Sequence, residues 1–146
     1  MKFFGMATYK MSNKGRLSLP AKYRRFLPDE VVVCPSIDAR FPSLELRSSD
    51  VFDAWVRAIE ESREGVSPVS PQNQYVLRSI YAKSETLCID EQGRICLPAQ
   101  MRAFAQLTDG EVIVIGVGDH IEIWNPEIYK EAEAEYSAMD SKLIEE

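Results

Sequence analysis

Apolar and polar positions along the chain run through one succession twice. Residues 4–11 and 85–90 carry strand-type alternation, plainest at Thr86-Leu87-Cys88-Ile89. Each run meets a turn closed by glycine, Asn13-Lys14-Gly15 and Glu91-Gln92-Gly93; glycine permits the positive φ of a tight hairpin connection. A second strand follows over 16–19 and 94–97. Pro20 and Pro98 end it and suit the first turn of short helices over 21–26 and 99–105. Val31-Val32-Val33-Cys34 and Val112-Ile113-Val114-Ile115 predict buried strands, while Leu44-Glu45-Leu46 and Ile121-Glu122-Ile123 alternate as half-exposed ones. Each succession closes on a helix. Asp50 is the expected cap of the first, over 51–61, where Val51, Ala54, Trp55, Ala58 and Ile59 recur at helical spacing. Asn125-Pro126 opens the second, over 127–139. One more helix, over 72–81, carries the stripe Val76, Leu77, Ile80 and Tyr81.

The succession is a repeat at the level of residues. At an offset of 78, Gly15-Arg16 matches Gly93-Arg94, Leu19-Pro20-Ala21 matches Leu97-Pro98-Ala99, and Arg24 and Phe26 match Arg102 and Phe104. With small shifts, Glu30-Val31-Val32-Val33 continues as Glu111-Val112-Ile113-Val114, and Leu44-Glu45-Leu46 as Ile121-Glu122-Ile123. The expected units are 1–64 and 80–146, with 65–79 as a turn-rich linker (Gly65, Pro68, Pro71) and the start of a connecting helix. Neither set of four short strands buries a sheet alone. An α+β, β-rich fold is therefore expected, one barrel built from both halves with helices outside, which also removes exposed strand edges.

Charge changes the picture more than composition does. With 45% hydrophobic and 27% charged residues the chain reads as an ordinary globular protein. No apolar run approaches the roughly 20 residues of a membrane span, and no leader-type stretch opens it, so an intracellular, cytoplasmic protein is expected. The net charge is −6, yet residues 1–28 hold seven bases and no acid, whereas the remainder holds 10 bases and 23 acids. Such asymmetry suits a polyanion, or else a solvated basic arm. Three cysteines without a CxxC pair argue against a disulfide framework and a zinc site, and core packing is expected for Cys34, Cys88 and Cys96. His120 is the only histidine and is given no role; no metal or other cofactor is expected.

The motifs Lys14-Gly15-Arg16-Leu17-Ser18-Leu19-Pro20-Ala21, Asp90-Glu91-Gln92-Gly93-Arg94, Val114-Ile115-Gly116 and Ile121-Glu122-Ile123-Trp124 resemble the MraZ family over nearly the whole chain. The resemblance implies a fused pair of AbrB-type swapped-hairpin units forming one pseudo-two-fold barrel. It further implies assembly into a homo-oligomeric ring, most often of eight. Such a ring would bind double-stranded DNA at direct repeats in the promoter of the division and cell-wall gene cluster, regulate transcription there, and associate with the nucleoid. The family's Asp-x-x-x-Arg signature is intact at Asp90 and Arg94. In the first half Ser12 stands in its place before Arg16. Ser12 and Asp90 are accordingly the expected loop-bracing residues.

Physical chemistry gives the basic loop its task. Neutralising phosphates releases counterions and supplies much DNA affinity. Arginine can also address guanine with two hydrogen bonds, whereas lysine suits phosphate as a point charge. Lys14 and Arg16 are the leading candidates, Gly15 shapes the turn, and Lys10, Lys22, Arg24 and Arg25 widen the surface. Arg24 has two readings, because the repeat puts Arg102 in the same place: a DNA contact, or a structural arginine paired with an acid across the barrel. Arg94 shares that ambiguity, since Asp90 lies at salt-bridge spacing. The first unit is expected to lead in DNA contact. A rival reading is an antitoxin-type interaction module using the C-terminal helix, where residues 127–146 hold seven acids and two bases. Catalysis is not expected: no phosphate loop, HExxH, GxSxG or Cys–His pairing is present.

Overall fold

The computed structural model describes residues 2–63, 67, 69–108 and 110–145, with side chains through residue 140. Gly65, Val66 and Pro68 of the expected linker lie outside the described residues. In chain order the elements are β1 (Met6–Met11), β2 (Arg16–Ser18), α1 (Ala21–Arg24), β3 (Glu30–Pro35), β4 (Leu44–Arg47), α2 (Ser49–Glu61) and α3 (Pro71–Lys83). The second half continues with β5 (Glu85–Cys88), β6 (Arg94–Cys96), α4 (Ala99–Phe104), β7 (Gly110–Gly116), β8 (Ile121–Trp124) and α5 (Pro126–Glu145). The repeat relates β1–β4 to β5–β8, α1 to α4 and α2 to α5.

All eight strands form one antiparallel sheet in the order β5-β3-β4-β8-β7-β1-β2-β6. The end strands β5 and β6 come together without a ladder, so the barrel is nearly closed. The halves exchange hairpins. β1 pairs with β7 of the other half, and β5 pairs with β3. The remaining inter-half ladders join equivalent strands, β2 with β6 and β4 with β8, and lie on the pseudo-two-fold axis.

Strand alternation explains the core. Leu17 and Ile95, Val31 and Val112, Val33 and Val114, and Leu44 and Ile121 are equivalent pairs, each essentially inaccessible to solvent. Tyr23 and Met101 close the core from the short helices. The same alternation corrects the reading of the cysteines. Cys34 is buried, but Cys88 and Cys96 are exposed. In β6 it is Ile95 that points inward, which turns both neighbours, Arg94 and Cys96, outward.

Caps follow local chemistry. The first long helix begins two residues earlier than expected, because Ser48, not Asp50, accepts the Val51 N–H (3.4 Å). Asn125 Oδ1 accepts from both Glu127 and Ile128 N–H at the start of α5, and Ser70 caps α3. Leu77 and Ile80 of α3 pack on Phe52 and Val56 of α2.

One buried ion pair departs from the otherwise apolar plan. Arg47, whose side chain is 3% exposed, reaches Glu45 Oε1 at 2.8 Å. Its guanidinium lies 4.0 Å from the Trp55 ring centroid and 3.7 Å from Cys34 Sγ. Burial pushes the Cys34 thiol up to about 11, with the Arg47 charge opposing, so that thiol stays protonated and unreactive. His120 sits between Asp119 (2.8 Å) and Glu122 (3.2 Å). Among the described residues no helix is long and apolar enough to cross a membrane.

Candidate nucleic-acid interface

The two hairpin turns are built alike. Gly15 and Gly93 have φ of 82° and 78°, values that glycine adopts without the Cβ penalty. In the first turn Ser12 Oγ accepts the N–H groups of Lys14 (3.3 Å) and Arg16 (3.1 Å). In the second, Asp90 Oδ1 accepts those of Gln92 (2.9 Å) and Arg94 (2.8 Å). Serine thus makes the same two backbone contacts as the aspartate.

The difference lies in the arginine side chains. Asp90 has a second oxygen, and Oδ2 accepts from Arg94 Nε at 3.1 Å. The Arg94 backbone N–H, with help from its side chain, holds the Asp90 carboxyl below the usual carboxylate range. Ser12 has no second acceptor. Among the described residues Arg16 and Lys14 make no ion pair, and both are exposed. The charge that the second turn neutralises is left free in the first.

Each turn is clasped by the other half. Leu19 N–H donates to Gly93 O (2.9 Å), and Leu97 N–H to Gly15 O (2.8 Å). Arg24 of α1 lies against Gly93, while Arg102 of α4 lies against Gly15 and donates from Nε to Leu97 O (3.0 Å). Among the described residues neither arginine pairs with an acid. Of the two readings of Arg24, pairing with an acid across the barrel is not what the structure has: the arginine stem packs over the bare backbone of a glycine turn. Arg102, the repeat's counterpart of Arg24, is brought to the same end of the molecule as Arg24.

The β2–β6 ladder joins the turns. Arg16 faces Cys96, Leu17 faces Ile95, and Ser18 faces Arg94. Leu17 and Ile95 point into the barrel, so the outer face carries Arg16, Ser18, Arg94 and Cys96. Arg16 and Arg94 are diagonal neighbours there, about 7–8 Å apart at Cα. At about 3.3 Å per residue the glycines of the two turns are separated by roughly 13 Å along the strands. Lys10 is exposed on β1 but faces Glu111 of β7, which offsets its charge. Lys22 leans on the Tyr23 ring and Arg25 on the Phe26 ring. Sequence reasoning missed Cys96 on this face; its parity with Arg94 was the available signal.

Packing at the glycines sets a first prediction. A Cβ on Gly15 would stand 2.7 Å from the Leu97 carbonyl oxygen, which is backbone and cannot yield. On Gly93 the atoms it would meet first are those of the Arg24 side chain, which can swing away. Both positions also carry the positive-φ penalty of about 1–2 kcal/mol. Urea unfolding is expected to show Gly15→Ala costing about 2–4 kcal/mol and Gly93→Ala about 1–2. Equal losses would mean that the Leu97 contact is not rigid.

Comparison with known proteins adds the following. The family model described as "MraZ protein, putative antitoxin-like" matches residues 3–67 and 80–146. A protein of a Nocardioides species named "Transcriptional regulator MraZ" is 36% identical, covering 100% of this chain and 96% of its own length. Proteins of the same name are 34% identical in Mycoplasmoides gallisepticum, over 88% of this chain and 85% of that one, and 32% in Thermomicrobium roseum, over 97% and 94%.

Proposed function

The chain belongs to the MraZ family, and on that footing we propose that it is a sequence-specific DNA-binding transcriptional regulator. The observation that carries this reading is the exposed Arg16 on the outer β2–β6 face, without an ion pair among the described residues, beside Lys14 and diagonal to Arg94. Two flanking turns about 13 Å apart match the roughly 12 Å width of the major groove, which a two-stranded ribbon can enter. Arg16 reads base edges and Lys14 meets phosphate. Arg24, Arg94 and Lys10 contribute field more than contact, Arg94 because Asp90 already holds it. Ser12 and Asp90 brace the turns.

One face offers few contacts, so avidity is the proposed remedy. Several copies in a closed ring, eight being the number the family resemblance suggests, would engage direct repeats together. The proposed target is the promoter of the division and cell-wall gene cluster, with the protein cytoplasmic and nucleoid-associated and with no catalytic role. Gel shifts with one, two and three repeats from upstream of its own gene test this. Affinity is expected to climb by at least tenfold from one repeat to three. Equal affinity for all three would remove the assembly from the reading.

A second reading has its own observation. α5 leaves Glu127, Glu131, Glu133, Glu135 and Asp140 exposed, a surface able to hold a basic protein in the manner of an antitoxin. Neutralising Glu131 and Glu135 to glutamine should then abolish capture of that partner while DNA binding persists.

A further inference from the structure

Among the described residues the eight-strand order has one junction without a ladder, the seam where β5 meets β6. The second hairpin turns beside it. Asp90 N–H donates to Arg94 O (2.9 Å) and Gly93 N–H to Asp90 O (2.9 Å), so Asp90 and Arg94 stand opposite each other. Two steps further out on each arm, the register brings Cys88 opposite Cys96. The repeat agrees. Met11 pairs with Leu17 in the first hairpin, and the offset of 78 carries that pair to Ile89 and Ile95, one step inside the cysteines. Ile95 and Leu97 are buried, and Leu87 and Ile89 half-buried. Alternation therefore turns Cys88 and Cys96 to the same outer face, where both are exposed and free.

Two facing, exposed cysteines are not what packing asks for, since a cysteine with no chemistry to do is ordinarily buried. The first hairpin holds Lys10 and Ser18 at the equivalent positions, so the shared fold does not require sulfur there. Facing positions of antiparallel strands lie about 4.5–5.5 Å apart at Cα, inside the roughly 4.4–6.8 Å that a disulfide spans. No ladder bond has to break for the seam to draw in. Cys96 also has a tie to the first turn. It faces Arg16 in the β2–β6 ladder, and its thiol donates to Lys14 O across the halves (3.5 Å).

We propose that Cys88 and Cys96 are a redox pair, a dithiol in the reduced protein and an intramolecular disulfide after exposure to a peroxide, and that the conversion lowers affinity for DNA. One cysteine of the pair, as its thiolate, attacks a peroxide oxygen; the O–O bond breaks, the sulfur becomes a sulfenic acid and water leaves. The second thiol, losing its proton, attacks that sulfur; the S–S bond forms, the S–O bond breaks and a second water leaves. Two thiols and one hydrogen peroxide thus give one disulfide and two waters, with two electrons passing from sulfur to oxygen. The disulfide has no S–H, so Lys14 O loses that donor. Cys96 is drawn towards β5 and away from the turn that carries Lys14 and Arg16. In a reducing compartment, disulfides are of this transient, sensing kind. The pairing stands on the seam alone; its effect on affinity rests on the DNA-binding reading of the β2–β6 face.

The full chain, reduced and then treated with hydrogen peroxide, tests both parts. Tryptic digestion is expected to yield peptides 84–94 and 95–102 joined through Cys88 and Cys96, from a band that stays monomeric on a denaturing, non-reducing gel. Buried Cys34 should remain a thiol. Affinity for DNA from upstream of the protein's own gene should fall at least fivefold on oxidation and return with dithiothreitol. Cys88→Ser should bind like the reduced wild type and form no linked peptides. Sulfinic acids without linked peptides, links only between copies, or linked peptides with unchanged affinity would overturn the proposal. Reduced protein that bound no such DNA would instead refute the DNA reading, and the linked peptides would still decide the pairing.

Discussion

Replacing Arg16 by alanine is expected to weaken binding to operator DNA roughly tenfold to a hundredfold, while the protein folds normally. The magnitude is that of one two-pronged arginine–guanine contact, about 1–3 kcal/mol. Normal folding is expected because the side chain is exposed and pairs with nothing among the described residues. Arg16→Lys should recover the charge but not the discrimination between operator and unrelated DNA. Lys14→Ala should weaken all DNA sequences about equally and reduce the salt slope by about one, the signature of a lost phosphate contact. Competition titrations over a salt series separate these outcomes. A Lys14→Ala loss confined to operator DNA would exchange the roles given to the two residues.

A large stability effect is expected at Arg47. Arg47→Ala leaves Glu45, 14% exposed at its side chain, without its cation and removes the group stacked on Trp55. Breaking a buried pair from one side costs about 3–5 kcal/mol. Because Glu45 keeps some contact with water, about 3 kcal/mol is expected, a fall in Tm of roughly 10 °C for a chain of this size. Arg47→Met combined with Glu45→Leu should recover most of that loss, since an apolar pair of similar volume is often neutral. A double-mutant cycle measures the coupling directly. If the double substitution is as damaging as Arg47→Ala alone, the pair is not what holds the site together.

Much of this architecture was legible before any coordinates. The glycine, arginine and Leu-Pro-Ala matches between the halves anticipated equivalent strands, and the β-branched runs anticipated Val31, Val33, Val112 and Val114 in the core. What escaped was decided by single-step geometry. Ser48, Ser49 and Asp50 are all competent caps, and only the helix's actual entry selects Ser48. Cys96 sits in an apolar stretch and Cys88 in an alternating one, and parity within the strand, not the average of a stretch, determines which side chains face inward.

The candidate site divides the same way. Arg16 and Lys14 were visible as charges at a hairpin, and Asp90 and Arg94 as a spacing that permits a salt bridge. The freedom of Arg16 relative to Arg94 needed the hydrogen bonds of Ser12 and Asp90 to be compared. The packing of Arg24 and Arg102 on the opposite half's glycines could not be read from one chain order, because it joins residues some 70–90 positions apart through the exchange of hairpins.

Hydrogen exchange of the chain, free and bound to DNA from upstream of its own gene, most directly tests the claim that the outer β2–β6 face and its two turns meet the duplex. Protection is expected at residues 12–18 and 90–96, strongest around Lys14 and Arg16, with α2, α3 and α5 unchanged. Protection confined to those helices, with both turns exchanging as fast as in the free protein, would contradict the account.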